Sequence, residues 1–194
     1  YLVNGDFNIA QRTGSPWGGG YGIDRWSFGV VGSYNAAVTQ NTDVPTFAQA
    51  GYGFQASLNL SCTVASTTPA VGDYATLFQP VEGKFFAPLR NRKCTLSFWA
   101  KTTTPGTYGV SFRNGTFARA YVGSFTITQA STWSQYSISV DFSQDSIGAY
   151  NYDTNVGLYV SFTMMSGSSF QNATTNSFIN GNFIAPTSQT NLVS

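Results

Sequence analysis

The chain has 194 residues and a net charge of +1; 42% of its residues are apolar, 16% are aromatic and only 9% are charged. Ordinary globular proteins contain about 25% charged residues, so this chain lacks the usual surface helix formers and is rich in residues of strands and turns. The length fits one domain, and the near-zero charge gives no long-range field that would favour nucleic acid or a membrane as a partner.

The first 30 residues combine a turn motif with a glycine-rich stretch. Asn4-Gly5-Asp6-Phe7 precedes a loop at residues 14–22, which predicts a short strand followed by a long excursion. Trp17 and Tyr21 lie within that loop and are candidates for contacting a partner. Trp26 begins a strand-like run and is predicted to lie in the core.

Period-two alternation of apolar and polar residues dominates the chain as far as residue 164. In residues 54–64 every even position is apolar and every odd position is polar. Comparable runs cover residues 77–82, 94–101, 108–112, 118–127, 136–142 and 156–164. The pattern predicts roughly nine to eleven strands in an all-β, antiparallel two-sheet sandwich of the jelly-roll type or a barrel. Trp133 starts one of these runs and is predicted to be a core residue, and the tail from residue 167 is predicted to be loop.

The cysteines and one basic cluster each allow two interpretations. Cys62 and Cys94 share parity with large apolar neighbours, which favours buried free thiols. A disulfide requires Cα atoms within about 7 Å, which the sequence does not establish. The lysines and arginines between residues 84 and 93 are expected to form a solvated loop, with an anion site or a subunit contact as the alternative.

Several groups needed for common catalytic mechanisms are missing from the sequence. The chain contains no histidine, and Glu82 is its single glutamate among eight acidic residues. Histidine is the commonest general base and metal ligand, and glycoside hydrolysis needs two carboxyl groups facing each other. Most of the aspartates stand next to turn-forming residues, where capping roles are expected. We therefore predict no catalytic residues, no metal ligands and no enzyme activity.

Some aromatic residues are predicted to lie on the strand face opposite the core. Exposed rings can stack on sugar rings while arginine and amide side chains bond the hydroxyl groups. The candidate glycan contacts are Trp99, Tyr121, Tyr159, Arg113, Arg119 and Gln135 on strands, with Tyr150 and Tyr152 in a loop rich in Asn and Asp. The alternative is that these rings pack under a long loop or against a sister subunit.

Short blocks spread over nearly the whole chain resemble a domain common in phage and prophage tail proteins. That family typically reads N-x-x-F-x-I-x-Q-R-G, a loop and then D-R-W; residues 4–12 here read NGDFNIAQR, and Asp24-Arg25-Trp26 follow. The other blocks are Gly72-Asp73-Tyr74, residues 79–83 (QPVEG), residues 95–101 (TLSFWAK), Trp133 and Asn191-Leu192. The NGDF and TLSFWAK blocks are also similar to carbohydrate-binding modules of the family-four type.

The resemblance implies a non-enzymatic jelly-roll domain on a virion, of the tail-fibre or receptor-binding type. Such a domain would recognise host glycans or mediate particle assembly, so its expected partners are a host-surface glycan or other virion proteins, and a homo-oligomer is expected. Two alternatives remain open. One is a carbohydrate-binding module of a secreted polysaccharide-degrading enzyme, and the other is a capsid decoration protein without a glycan ligand.

Two departures from the resembled families change these expectations. Modules of the family-four type usually carry an acidic residue after the phenylalanine of NGDF that helps to hold a structural calcium; here that residue is Asn8, and Asp6 alone is a weak ligand set, so no cofactor is predicted. The phage domains usually continue past the Asn-Leu pair into a final strand. We therefore predict a single domain over residues 1–194 that lacks its final strand, which another segment or a subunit contact would replace.

Overall fold

A computed structural model of the chain describes residues 2–11, 20–66 and 68–192. The candidate contact residue Trp17 lies outside these residues, as does the side chain of Tyr21. Within them the helices are the single turns α1 (Phe47–Ala50) and α2 (Gly83–Phe86), with 3₁₀ turns at Ala87–Leu89, Phe142–Gln144 and Ser168–Phe170.

Strands make up most of the regular structure in the described part of the chain. They are β1 (Gly20–Tyr21), β2 (Ser27–Val31), β3 (Asn35–Asn41), β4 (Ser57–Val64), β5 (Tyr74–Glu82), β6 (Lys93–Ala100), β7 (Gly106–Asn114), β8 (Arg119–Ile127), β9 (Ser134–Asp141), β10 (Val156–Ser166), β11 (Gln171–Asn172), β12 (Phe178–Asn180) and β13 (Ala185–Pro186).

The strands form two layers of a sandwich. One layer is a seven-stranded antiparallel sheet in the order β1-β2-β5-β10-β7-β8-β12. The opposite layer consists of two antiparallel pairs, β3 with β4 and β6 with β9. A short parallel pair, β11 with β13, lies outside both layers. The predicted all-β, antiparallel jelly-roll sandwich is confirmed.

The core lies between the layers and has two parts. One part is built around Trp26, Phe28 and Leu77, against which side chains of β4 pack. The other is built around Phe112, Val160 and their neighbours, against which side chains of β6 pack. The prediction that Trp26 is a core residue is confirmed, since only 2% of it is exposed.

The tail from residue 167 departs from its prediction as loop. It contains β11, β12 and β13, and Ile184 and Ala185 are buried against the outer surface of β7. Gly109 of β7 allows this approach, because an added Cβ would lie 2.8 Å from the Cα of Ala185. Its elements are two or three residues long, too short to show a period in the sequence.

Candidate functional site

Three aromatic side chains meet on the outer surface of the seven-stranded sheet. Phe78 lies on β5 and Tyr159 lies on β10, while Phe117 belongs to the turn between β7 and β8. Successive side chains of a strand point to opposite faces. Because Leu77 and Leu158 point into the core, Phe78 and Tyr159 point away from it.

The ring of Tyr159 contacts both of the others, and the three form a surface that we call the aromatic face (Phe78, Phe117 and Tyr159). The rings of Phe117 and Tyr159 stack with centroids 4.7 Å apart and an interplanar angle of 28°. The rings of Tyr159 and Phe78 meet edge to face at 5.8 Å. All three side chains are half-buried, so part of each ring is accessible to a ligand.

Phe117 is held in an unusual backbone conformation. Its φ is +58°, in the left-handed region that bulky residues rarely adopt. The turn is closed by a hydrogen bond from the Phe117 N–H to the carbonyl of Asn114, at 3.0 Å. Such strain concentrates at functional sites, and a polar residue or glycine would fit this turn at lower cost. Turn formation therefore does not explain why an aromatic residue occupies position 117.

Arg113 lies beside the aromatic face and is 6% exposed. Its guanidinium group donates to Asn182 Oδ1 at 2.6 Å and to Ser161 Oγ at 3.0 Å, and it stands 4.8 Å from the centre of the Phe117 ring. Burial lowers the pKa of Arg113 to about 10, which leaves the group charged at neutral pH. Its Nε has no hydrogen-bond partner within the described residues. The cation is thus fixed in place next to the rings.

An apolar cleft separates the two strand pairs of the opposite layer. Its volume is about 1100 Å³, and its walls are residues 56–62 on the β4 side and residues 94–103 on the β6 side. Inward-facing side chains of the seven-stranded sheet form the floor, among them Leu77, Leu158 and Phe162. The predicted contacts Trp99 and Gln135, which pair across β6 and β9, also line this cleft.

Asp43 connects the two strand pairs through a group of contacts that we call the clasp (Asp43, Lys101 and Trp133). Its carboxylate accepts hydrogen bonds from Lys101 Nζ and, at 3.0 Å, from Trp133 Nε1. The bond from Lys101 is the main cause that lowers the pKa of Asp43 below its usual 3.8. The carbonyl of Asp43 also accepts from Ser57 Oγ at the start of β4. Trp133 is half-buried, so the prediction of a core position is corrected to a clasp position.

Arg119 and Tyr150, both predicted contacts, belong instead to a network around Asp145, whose side chain is fully buried. Arg119 donates to Asp145 Oδ1 from Nε at 2.8 Å, and the hydroxyl of Tyr150 donates to Oδ2 at 2.7 Å. Arg90 of the basic cluster donates to the carbonyls of Asp145 and Phe142. This network fixes β8 against the turn at residues 142–145, and we assign it a structural role.

The remaining predicted contacts lie in different places. The outward position predicted for Tyr121 is wrong, because its ring is in the core at 7% exposure and its hydroxyl donates to the carbonyl of Ser139. The cause is that Ala120 and Val122 on the other face of β8 are also buried, so that strand has no polar face. Tyr152 is 50% exposed, and its ring lies parallel to Phe86 at 6.5 Å.

Of the eight predicted contacts, the structure therefore places Tyr159 and Arg113 at the aromatic face, Trp99 and Gln135 at the cleft, and Arg119 and Tyr150 in the Asp145 network. Sequence reasoning missed Phe78, Phe117 and Asn182. Phe117 carried a signal, since an aromatic residue in a turn that begins Asn-Gly-Thr is unusual. Phe78 was missed because the neighbouring Gln79 interrupts the apolar alternation of its strand. Gln79 is a buried polar residue whose side-chain amide pairs with the backbone of Val3. Asn182 had no local signal.

The cysteines and acidic residues show no reactive arrangement within the described residues. Cys62 and Cys94 are free and half-buried, and burial raises the pKa of the Cys94 thiol. Among the residues that the structure describes, no cluster of three or more Cys, Asp or Glu is arranged to hold a metal. In the same residues there is no helix long and apolar enough to cross a membrane.

Comparison with known proteins gives only distant likeness. No family model and no curated protein matches the sequence. Solved structures that the chain resembles distantly include the family 11 carbohydrate-binding module from Clostridium thermocellum in complex with a β-1,3-1,4-mixed-linked tetrasaccharide (11% identity, TM-score 0.46, covering 91% of this chain and 97% of that one).

A second is the family 11 carbohydrate-binding module of a cellulosomal cellulase of the same organism (12% identity, TM-score 0.43, covering 89% and 94%). These likenesses add nothing to the fold assignment, which rests on the sheet topology. The topology and the aromatic face define the chain as an antiparallel β-sandwich domain with an aromatic surface beside a fixed cation.

Proposed function

We propose that the chain is a non-catalytic carbohydrate-binding domain and that the aromatic face is its binding surface. The observation that carries this proposal is the contact of Phe117, Tyr159 and Phe78 beside the buried guanidinium group of Arg113. Sugar rings have apolar C–H faces that pack on aromatic rings and hydroxyl groups that need directed partners at their edges. The aromatic rings offer the first kind of contact, and the half-buried Asn182, which Arg113 holds in place, offers the second.

The charge of the surroundings favours a neutral ligand. The Arg113 cation is shared between the Asn182 amide, the Ser161 hydroxyl and the Phe117 ring, so it is held as a directional group. An anion site would leave more of the guanidinium group free for the ligand. The low charge content of the whole chain agrees with recognition by stacking and neutral hydrogen bonds.

Within this proposal, the domain is part of a phage particle and binds a glycan of the host surface. The support is the order of the NGDF, D-R-W and TLSFWAK blocks along the chain. A carbohydrate-binding module of a secreted polysaccharide-degrading enzyme would use the same surface. The genes next to the coding sequence distinguish the two, since tail or capsid genes support the first and a fused catalytic domain supports the second.

The first experiment is a glycan-array screen of the purified domain, followed by calorimetric titration of the best ligand. Phe117→Asn is the most informative variant, because Asn accepts the left-handed backbone of the turn while the ring is removed. We expect at least a tenfold loss of affinity, with the free energy of unfolding within about 1 kcal/mol of the unchanged domain. Tyr159→Ala should weaken binding by a similar factor.

Tyr52→Ala is the matched control, because Tyr52 is 58% exposed and lies in the segment between α1 and β4, outside the strands of the seven-stranded sheet. The control should bind as well as the unchanged domain. Equal binding by Phe117→Asn and Tyr52→Ala would contradict the aromatic face as the site. If Tyr152→Ala alone weakened binding, the site would move to the loop at residues 150–152.

A further inference from the structure

The cleft in the second layer is bordered by two unpaired strand edges. Within the described residues, β4 pairs only with β3, and β6 pairs only with β9. Consecutive residues of both strands, 57–62 and 94–100, line the cleft. Since successive side chains point to opposite faces, lining by residues of both parities indicates that the cavity borders the edge of each strand. Among the residues that the structure describes, the unpaired backbone edges of β4 and β6 therefore face each other across the gap.

The chemistry of the cleft is that of a sheet interior with one strand removed. Its floor is apolar, because Leu77, Val160 and Phe162 point into it from the opposite sheet. Along each wall, the outer row of backbone N–H and C=O groups has no strand partner among the described residues, and such groups need one. An occupant must satisfy both rows and cover the floor with alternate side chains, which is the property of an extended polypeptide strand.

We propose that this cleft is an acceptor site for one extended strand from a partner polypeptide, with apolar side chains at alternate positions. The strand would pair with β4 and β6 at once and join the two strand pairs into a continuous layer. The lining runs of the wall strands, residues 57–62 and 94–100, correspond to a slot about 20–23 Å long at about 3.3 Å per residue. The site lies on the layer opposite the aromatic face, so it does not depend on carbohydrate binding.

The clasp supports a preformed slot. Asp43 receives its hydrogen bonds from Lys101 and Trp133, which flank β6 and β9, while its own carbonyl bonds Ser57 of β4. These contacts tie the two strand pairs together without a backbone ladder between them. If the two strand pairs were free to move together and close the cleft, no such connection between them would be needed.

The test is binding of a synthetic eight-residue peptide that alternates valine and threonine, labelled with a fluorophore and flanked by lysines for solubility. We expect saturable binding by fluorescence anisotropy. Hydrogen exchange should show new protection of backbone amides in Ser57–Val64 and Lys93–Ala100. The comparison peptide carries N-methyl groups at alternate amides, which keeps its side chains but removes half of its donors, and it should bind at least tenfold more weakly.

A variant of the protein gives an independent check. Leu96→Lys places a charge on the cleft wall and should abolish peptide binding, whereas Ser137→Lys on the exposed side of β9 should not. Circular dichroism separates loss of binding from loss of folding, and the peptide comparison stands even if Leu96→Lys does not fold.

Other outcomes overturn the proposal. Equal binding of the methylated peptide would show hydrophobic adsorption in place of strand pairing. Protection of β4 and β6 in the protein alone, together with dimers in sedimentation, would make a second copy the occupant. Protection of the cleft by an oligosaccharide and not by the peptide would make it a sugar site. Absence of both binding and protection would show that the cleft accepts no strand.

Discussion

The two layers of the sandwich differ in their continuity: one is a continuous sheet, and the other is split into two strand pairs. In the seven-stranded sheet, β10 pairs with β5 on one side and β7 on the other, so the central backbone is satisfied along both edges. In the other layer, β4 and β6 each lack one neighbour within the described residues. The closed layer can present a firm outer surface, and the split layer exposes core side chains.

This difference separates two roles. The aromatic face stands on β5, β10 and the β7–β8 turn, where Phe117, Tyr159 and Arg113 are held by fully paired strands. A rigid base lowers the entropy lost when a ligand binds. The split layer holds the cleft, where an unpaired edge is a liability unless something covers it. We therefore place recognition of small ligands on the closed layer and association with other chains on the split one.

The largest expected effect comes from breaking the buried network that anchors the closed layer. Asp145→Ala leaves the Arg119 guanidinium group without its carboxylate in a buried site. Removing one partner of a buried ion pair costs about 3–5 kcal/mol, so we expect a loss of that size in the free energy of unfolding by urea denaturation. Asp153→Ala is the control: it removes only exposed hydrogen bonds within its own loop, from Asn155, and should cost clearly less, about 1 kcal/mol.

The second prediction compares one truncation in each layer. Leu158→Ala on β10 removes a side chain that is 3% exposed, and it should cost about 2–5 kcal/mol. Leu60→Ala on β4 removes a half-buried side chain at the cleft and should cost clearly less, about 1 kcal/mol. Equal losses in urea denaturation would mean that the cleft is as closed as the core.

The third prediction uses the pH dependence of the free energy of unfolding to test whether solvent reaches the core beside the cleft. Burial raises the pKa of Tyr34 to about 12, and the neighbouring Cys62 adds to the rise. Because the folded-state pKa lies above the unfolded value of about 10, the stabilising contribution is complete below pH 10 and is lost as the pH rises towards 12. The free energy of unfolding should therefore fall across this window.

Tyr34→Phe should reduce that fall, since it removes the titrating hydroxyl group from the core. An unchanged pH profile in Tyr34→Phe would show that water reaches Tyr34 from the cleft. Other buried tyrosines, among them Tyr150 and Tyr108, have pKa values shifted in the same direction, so part of the fall should remain.

The smallest expected effect on stability belongs to the clasp. Asp43→Asn weakens an ion pair whose carboxylate side chain is 56% exposed, and such pairs contribute about 0–1 kcal/mol. The effect on the cleft should be easier to detect. We expect faster hydrogen exchange in β4 and β6 but no change in β5 and β10, while Asp6→Asn should change neither.

Much of the fold followed from the sequence. The alternation at residues 54–64, 94–101 and 156–164 predicted β4, β6 and β10, because a strand with one buried face must alternate. The short strands after residue 167 were not predicted, since two or three residues are too few to show a period. The helical turn α1 was not predicted for the same reason, because it has only four residues, although Thr46 and Gln49 form a capping box at its start.

The candidate site followed only in part. Tyr159 and Arg113 were predicted because they alternate with core residues on their strands, and both lie at the aromatic face. Tyr121 was misplaced because the tail buries the second face of β8, and alternation cannot identify the inner face when both are apolar. Phe117 and Asn182 come from a turn and a loop, where no periodic pattern applies.

The sequence alone determined that this chain forms strands, where most of them run and which side chains share a face, because those properties depend on neighbours along the chain. The tertiary structure decided which strands pair, that β4 and β6 stand apart, and that rings 42 and 81 residues apart in sequence meet on one surface. Strand pairing depends on contacts between distant segments, and a period-two pattern contains no information about the partner of a strand.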